Sequence, residues 1–248
     1  MDWHDIVYYL FHVLGFLGVT FFAIIYSKKF NLAFWRVGLC VVCTYIVGYA
    51  FMYFQCWVES GFRVFGGNNI VRTFIWIPLL AWPFAKLFKI DWKLSTVIIA
   101  PMLCIIHGIS HFGCIFAGCC YGYPWEYGIY NHVFDTNLFP IQIIEALVAI
   151  AIVIMTIVWT HNHNYDRNCK AYPLMLILFG STRFILEFFR DNTKLFWGLS
   201  DLAIHAFVMF VVGMIWFFLP WDKIIEKMKN KGKKEEAQVE VNNTENRP

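Results

Sequence analysis

Ser95–Phe116 reads STVIIAPMLCIIHGISHFGCIF, 22 residues without a Lys, Arg, Asp or Glu. At 1.5 Å per residue a helix of that length covers about 33 Å, enough to cross the hydrocarbon core of a bilayer. The same kind of run recurs on both sides of it, so that seven candidate spans follow at about 6–26, 34–58, 71–90, 95–116, 141–160, 171–190 and 199–219. The expected fold is all-α: a polytopic membrane protein of about seven transmembrane helices. A composition of 59% hydrophobic and only 15% charged residues excludes an ordinary soluble domain of this length. The formal charge is only +3 and the basic residues cluster between apolar runs, so membrane topology accounts for them and no nucleic-acid partner is implied. Residues 1–221 form one transmembrane helical domain in this reading, and 222–248, rich in Lys, Glu and Asn, form a charged, disordered cytoplasmic tail.

Among the spans the third is the weakest. Pro78 and Pro83 interrupt it, Lys86 and Lys89 shorten its apolar part, and a re-entrant segment is its alternative. The first follows Asp2 and Asp5 with no Lys or Arg, which fits a retained anchor better than a cleaved signal peptide. Fifteen Lys and Arg fall on one side of the seven spans and four on the other, and eight against four remain when the tail is left out. The positive-inside rule therefore places the N-terminus outside and the C-terminus in the cytoplasm. Tyr121–Pro140, with no Lys or Arg, becomes an external loop.

Polar residues inside the spans define the chemistry, since a charge at membrane depth normally pairs or lines a water-filled cavity. Cys104, His107, His111 and Cys114 fall within about 80° of one another around the fourth span. Gln142 and Glu145 share a face at the start of the fifth. Arg183, Glu187 and Arg190 share a face of the sixth. With the orientation above, all three stripes meet in the outer half of the membrane. The plainer alternatives are a structural Arg183–Glu187 ion pair and an Arg190 that snorkels to the interface.

Of the eight cysteines, Cys40, Cys43, Cys56, Cys104 and Cys169 read as small packing residues. Cys114, Cys119 and Cys120 with the two histidines invite a zinc or haem reading. His107 and Cys114 stand about 10 Å apart along a helix and cannot share one metal. His107 with His111, or His111 with Cys114, could each contribute to one. The spacing matches no strong metal signature, so neither a metal nor another cofactor is expected. Adjacent Cys119 and Cys120 fit either a vicinal disulfide or a tight turn.

Three motifs, GCIFAGCCYGYP (Gly113–Pro124), FPIQIIE (Phe139–Glu145) and GSTRFILEFFRD (Gly180–Asp191), resemble those of the membrane-embedded prolipoprotein diacylglyceryl transferases in order and in the kind of span that carries them. The likeness extends in weaker form from about Gly66 to Gly213. Its most specific element is Arg183, then Glu187, Phe188, Phe189 and Arg190. The Cys119–Cys120 doublet before Tyr121 and Gly122 resembles a divergent branch of that family. The resemblance implies that Arg183, Glu187, Gln142 and Glu145 are retained site positions, and that Gly113, Gly118 and Gly122 shape the segment facing the lipid headgroup. It also marks departures. His111 stands where transferases carry an arginine, and Phe65, Gly66 and Gly67 where they carry His-Gly-Gly. Cys114 replaces an Asn, and Phe139 and Ile144 replace a His and a Tyr.

The implied reaction moves diacylglyceryl from phosphatidylglycerol, or a related phospholipid, to the cysteine thiol of a lipoprotein precursor's signal peptide, in the bacterial plasma membrane. That reaction requires a cation for the phosphate, a means of forming the acceptor thiolate, and apolar openings for acyl chains and a peptide helix. Arg183, oriented by Glu187, is the expected phosphate ligand, because a guanidinium fork fits phosphate better than a lysine does. Glu145 and His111 complete the expected catalytic set, and Gln142, His107, Arg190 and the three glycines the substrate-binding set. Two competing functions are a non-catalytic lipid- or peptide-binding protein of the same fold and a His/Cys metal- or thiol-dependent membrane enzyme.

Overall fold

The computed structural model describes residues 3–63, 70–190, 194–196 and 198–220. Phe65, Gly66 and Gly67 and the expected tail 222–248 therefore lie outside the described residues. The described residues form seven α-helices: α1 Trp3–Lys29, α2 Phe34–Glu59, α3 Ile77–Leu87, α4 Trp92–Phe116, α5 Ile141–Asn162, α6 Ala171–Glu187 and α7 Asp201–Phe218. The chain divides into two compact units, Met1–Met214 and Ile215–Pro248. The second contributes only the end of α7 and the two residues after it to the described structure.

Five helices, α1, α2, α4, α5 and α7, are long and apolar enough to cross a membrane. The helices match the expected number of about seven, and two of them are shorter than the expected spans. The third span resolves into a 3-10 turn at Ile70–Thr73 and the 11-residue α3. At roughly 16 Å that helix reaches about halfway through a hydrocarbon core. Pro78 opens it, where a missing N–H costs nothing, and Phe88 and Lys89 close it, Lys89 in the left-handed region at φ 56°. The sixth span is shortened: α6 ends at Glu187 after 17 residues, so Arg190 lies beyond it rather than on its last turn. The described structure is mostly helical, as the all-α expectation has it, with two small hairpins between helices. The loop Tyr121–Pro140 contains an antiparallel hairpin, β1 Pro124–Asn131 with β2 Thr136–Leu138, and β3 Lys194–Phe196 pairs with β4 Leu199–Ser200. Alternating aromatics in WEYGIY and a left-handed Asp135 at the turn supply the local cause of the first hairpin.

α4 is the hub. Its apolar window is 72% buried against 28% in α1 and 22% in α7, because α1, α3, α5 and α6 all pack on it. Asp91 caps it, accepting from Leu94 N at 3.2 Å, and Pro101 is tolerated inside it as a buried break of one backbone bond. Gly108 allows α5 to approach, its α-carbon facing Ala146 and Ala149. This close contact brings the second half of α4 against the first turns of α5.

Candidate functional site

Where α4, α5 and the end of α6 meet, five ionisable side chains come together around Glu145. Its Oε1 pairs with Arg183 Nη1, its Oε2 with Arg190 Nη2 at 2.5 Å, and His111 Nδ1 stands 3.3 Å from the same oxygen. Glu187 forms the second centre. Its Oε2 lies 3.2 Å from Arg183 Nη2 and 3.6 Å from Arg190 Nε, and its Oε1 accepts from Ser200 Oγ at 2.8 Å. None of these five residues is more than 9% exposed. Two guanidiniums and two carboxylates balance in charge, as burial requires, since an isolated charge here costs several kcal/mol or more. Arg183 Nε has no hydrogen-bond partner among the described residues, which leaves one donor of the fork unspent. A partly open polar pocket borders the cluster, lined by Glu187, Arg190, Gly198, Leu199, Ser200 and the apolar Phe188 and Ala203.

The stripes therefore converge as the helical periodicity predicts, with two changes of role. Arg190 does not snorkel. It turns inward, and its backbone pairs with Gly122 in an isolated antiparallel bridge. The Arg183–Glu187 pair exists, but Arg183 also engages a carboxylate on another helix, so the i, i+4 pair is part of a three-helix network. Gln142 donates to Cys119 O at 2.8 Å and thus holds the loop after α4. His107 packs edge-on against Phe179, ring centroids 4.8 Å apart, one turn deeper than His111.

Of the three glycines, Gly113 lies in α4 against Tyr8 and Phe11 of α1. Gly118 has φ 64°, a conformation that costs a side-chain-bearing residue about 1 kcal/mol or more. At Gly122 a Cβ would come within 2.8 Å of Phe189 O and of Phe139 Cβ, so only glycine lets the loop, the start of α5 and the end of α6 meet. Two residues escaped the sequence reading. Ser200 both caps α7, accepting from Ala203 N at 3.1 Å, and donates to Glu187. Its place just before an apolar run was a usable N-cap signal. Asn131 donates to Gly118 O at 3.1 Å from the hairpin, a tertiary bond that no local pattern announces.

Among the described residues, two groups offer metal-ligand atoms within 4.8 Å of one another: His107, His111 and Glu145, and Cys114, Cys119 and Cys120. In the first, Arg183 and Arg190 already hold Glu145, and their charge opposes a cation. In the second, all three thiols are free, so the structure contains a turn where a vicinal disulfide was the alternative. Cys104, the other cysteine of the α4 stripe, is buried apart from both groups. Hydrogen bonds from Cys114 and Cys119, with the nearby Arg190 and His111, hold the Cys120 thiol well below its ordinary range against the opposing effect of burial.

A family model described as prolipoprotein diacylglyceryl transferase matches residues 52–219, more than half of the chain. Over 164 residues the chain is 25% identical to the phosphatidylglycerol–prolipoprotein diacylglyceryl transferase 2 of Clostridium perfringens (strain 13 / Type A), an overlap covering 62% of each. It is 22% identical over 169 residues to the phosphatidylglycerol–prolipoprotein diacylglyceryl transferase of Clostridium tetani (strain Massachusetts / E88), covering 64% of this chain and 63% of that one. The match thus spans under two thirds of the length of these curated relatives. All the site residues named above fall within the matched range.

Proposed function

The chain belongs to the prolipoprotein diacylglyceryl transferase family, and we propose that it transfers diacylglyceryl from phosphatidylglycerol, or a closely related phospholipid, to the lipobox cysteine of a lipoprotein precursor in a bacterial plasma membrane. The observation that carries this reading is the shared grip on Glu145, with Arg183 and Arg190 on its two oxygens and His111 beside it. In the transfer the acceptor sulfur attacks the glycerol carbon that bears the phosphodiester. An S–C bond forms, the C–O bond breaks, and its electron pair leaves on glycerol phosphate, which gains one negative charge. The thiol proton must go to a base. A phosphate that draws one guanidinium to itself frees Glu145 to take that proton, directly or through His111. Once Glu145 is neutral, the two arginines face Glu187 alone, and the net positive charge this leaves lies beside the departing phosphate. Deprotonation of the acceptor and stabilisation of the leaving group are thereby one event. Arg183 is taken as the first phosphate ligand because Glu187 and Ser200 orient its fork; its Nε, like that of Arg190, has no hydrogen-bond partner among the described residues.

The orientation belongs to the same proposal: N-terminus outside, and the cluster in the outer half of the membrane, where a translocated signal peptide presents its cysteine. An apolar groove among α1, α2, α3 and α4, lined by residues such as Phe16, Tyr45, Ile77 and Met102, offers the apolar surface along which an acyl chain could lie. The charge balance of the cluster also favours a second reading, a lipid-binding protein without turnover, because no cation is left over in the resting site. One assay separates them: transfer of labelled diacylglyceryl from phosphatidylglycerol vesicles to a lipobox peptide by the purified chain. Arg183→Lys is expected to lower turnover by about ten- to a hundredfold, equivalent to about 1.4–2.8 kcal/mol, because a lysine keeps the charge and loses the fork. His111→Arg is expected to be tolerated or to raise activity. Lipid retention without any transfer by the wild type would leave the binding protein standing.

A further inference from the structure

Nothing in the transfer chemistry uses Cys114, Cys119 and Cys120, although their sulfurs lie within 4.8 Å of one another. Two of them are adjacent in sequence, and in extended chain their side chains would point to opposite sides. They are brought to one side because Cys120 adopts φ 58°, the left-handed conformation, two residues after Gly118 at φ 64°. For a residue with a Cβ that conformation costs of order 1 kcal/mol or more and persists only where the surroundings impose it. The imposition is visible. Cys119 N donates to Cys114 O at 3.2 Å, Gln142 grips Cys119 O, Asn131 grips Gly118 O, and Gly122 N donates to Phe139 O at 3.2 Å. Four bonds from the end of α4, the hairpin and the start of α5 thus hold a turn whose conspicuous product is three sulfurs on one side.

We propose that Cys114, Cys119 and Cys120 form a binding site for a thiophilic d¹⁰ cation, Zn²⁺ or Cu⁺. Thiolates are the ligands that select these ions over Mg²⁺ or Ca²⁺. Sulfurs at the corners of a tetrahedron with Zn–S bonds of about 2.3 Å are about 3.8 Å apart, so the observed spacing needs a contraction of roughly 1 Å or less. Binding releases up to three thiol protons, and Zn²⁺ with three thiolates carries one negative charge. Arg190, whose backbone pairs with Gly122 and whose guanidinium acts on Cys120, lies where it can offset that charge. Cys114 is buried while Cys119 and Cys120 are only partly so, which leaves a way in. Such an ion would tie the loop after α4 to its own helix beside Arg190. The proposal does not depend on the transferase reading, because its readout is metal and not turnover.

The full chain, purified in detergent under reducing conditions and equilibrated separately with Zn²⁺ and Cu⁺, is to be measured for bound metal by elemental mass spectrometry. One ion per chain is expected with at least one of the two cations. Cys119→Ser and Cys120→Ser are each expected to lower affinity at least about tenfold, whereas His107→Asn should leave it unchanged. As a check that needs no variant, bound metal should protect Cys119 and Cys120 of the wild type from alkylation. Substoichiometric binding of both cations overturns the site, as do full occupancy in the cysteine variants, loss in His107→Asn, or alkylation unaffected by metal.

Discussion

Two clusters of the same residue types occupy opposite electrostatic circumstances in this protein. Around Glu145, two arginines, two glutamates and a histidine from α4, α5 and the end of α6 have side chains only 2–8% exposed. Around Arg72, Glu59 at the end of α2 and Asp201 and His205 at the start of α7 form a second network, with Arg72 pairing to both acids and His205 within 3.6 Å of Glu59 and 3.3 Å of Asp201. There the side chains are 16–37% exposed. Water reaches the second network far more freely than the first. Coulomb energy scales inversely with effective dielectric constant, so equal geometry carries unequal weight. In the buried cluster each group is held because its partner would otherwise be a stranded charge. At the rim each can be resolvated at little cost. The contrast separates a site from an incidental tie between helix ends.

The largest effect should come from the centre of the buried cluster. Glu145→Ala leaves Arg183 and Arg190 facing only Glu187, and is expected to destabilise the protein by about 3–5 kcal/mol, read as a lowered unfolding temperature in detergent, and to abolish transfer. A loss no greater than that of a rim variant would dissolve the comparison. Next in size is Ser200→Ala. It removes the donor to Glu187 Oε1 and the cap of α7 together, with an expected loss of about 1.5–3 kcal/mol. Ser200→Thr, which keeps a hydroxyl, should recover most of it. If both variants lose equally, packing rather than the hydrogen bond is responsible.

How much of this was readable in the sequence follows from the range of the interactions. The buried cluster was legible because helical periodicity put His111, Glu145, Arg183 and Glu187 on single faces, and expensive charges in apolar runs are rare enough to attract notice. The seven helices were legible as apolar runs, five of them at a length that crosses a membrane. The third and sixth are shorter than expected, ending at Lys89 in the left-handed region and at the turn after Glu187, which outweigh apolar content. The three cysteines drew notice in the sequence, but their convergence on one side was not readable, because it depends on a left-handed Cys120 and on bonds from Asn131 and Gln142, which are tertiary facts. The rim cluster escaped because its partners are 13 and 129 residues apart, and charges at helix ends read as loop charges.

That rim cluster gives the smallest and most diagnostic effect. Arg72→Ala breaks pairs with Glu59 and Asp201, yet both acids are about a third exposed and can return to water, so the expected loss is only about 1 kcal/mol or less. The sign of its salt dependence carries more information than its size. At roughly 1 M salt the Debye length falls to about 3 Å, which screens the pairs at the rim in the wild type itself. The difference in unfolding temperature between the wild type and Arg72→Ala should therefore shrink as salt rises. Ions do not enter the Glu145 cluster, so the difference between the wild type and Glu145→Ala should hold over the same range. Equal shrinkage of both would mean that water and salt reach Glu145 in the resting protein, and the coupling of its protonation to phosphate departure would then lose the low dielectric on which it rests.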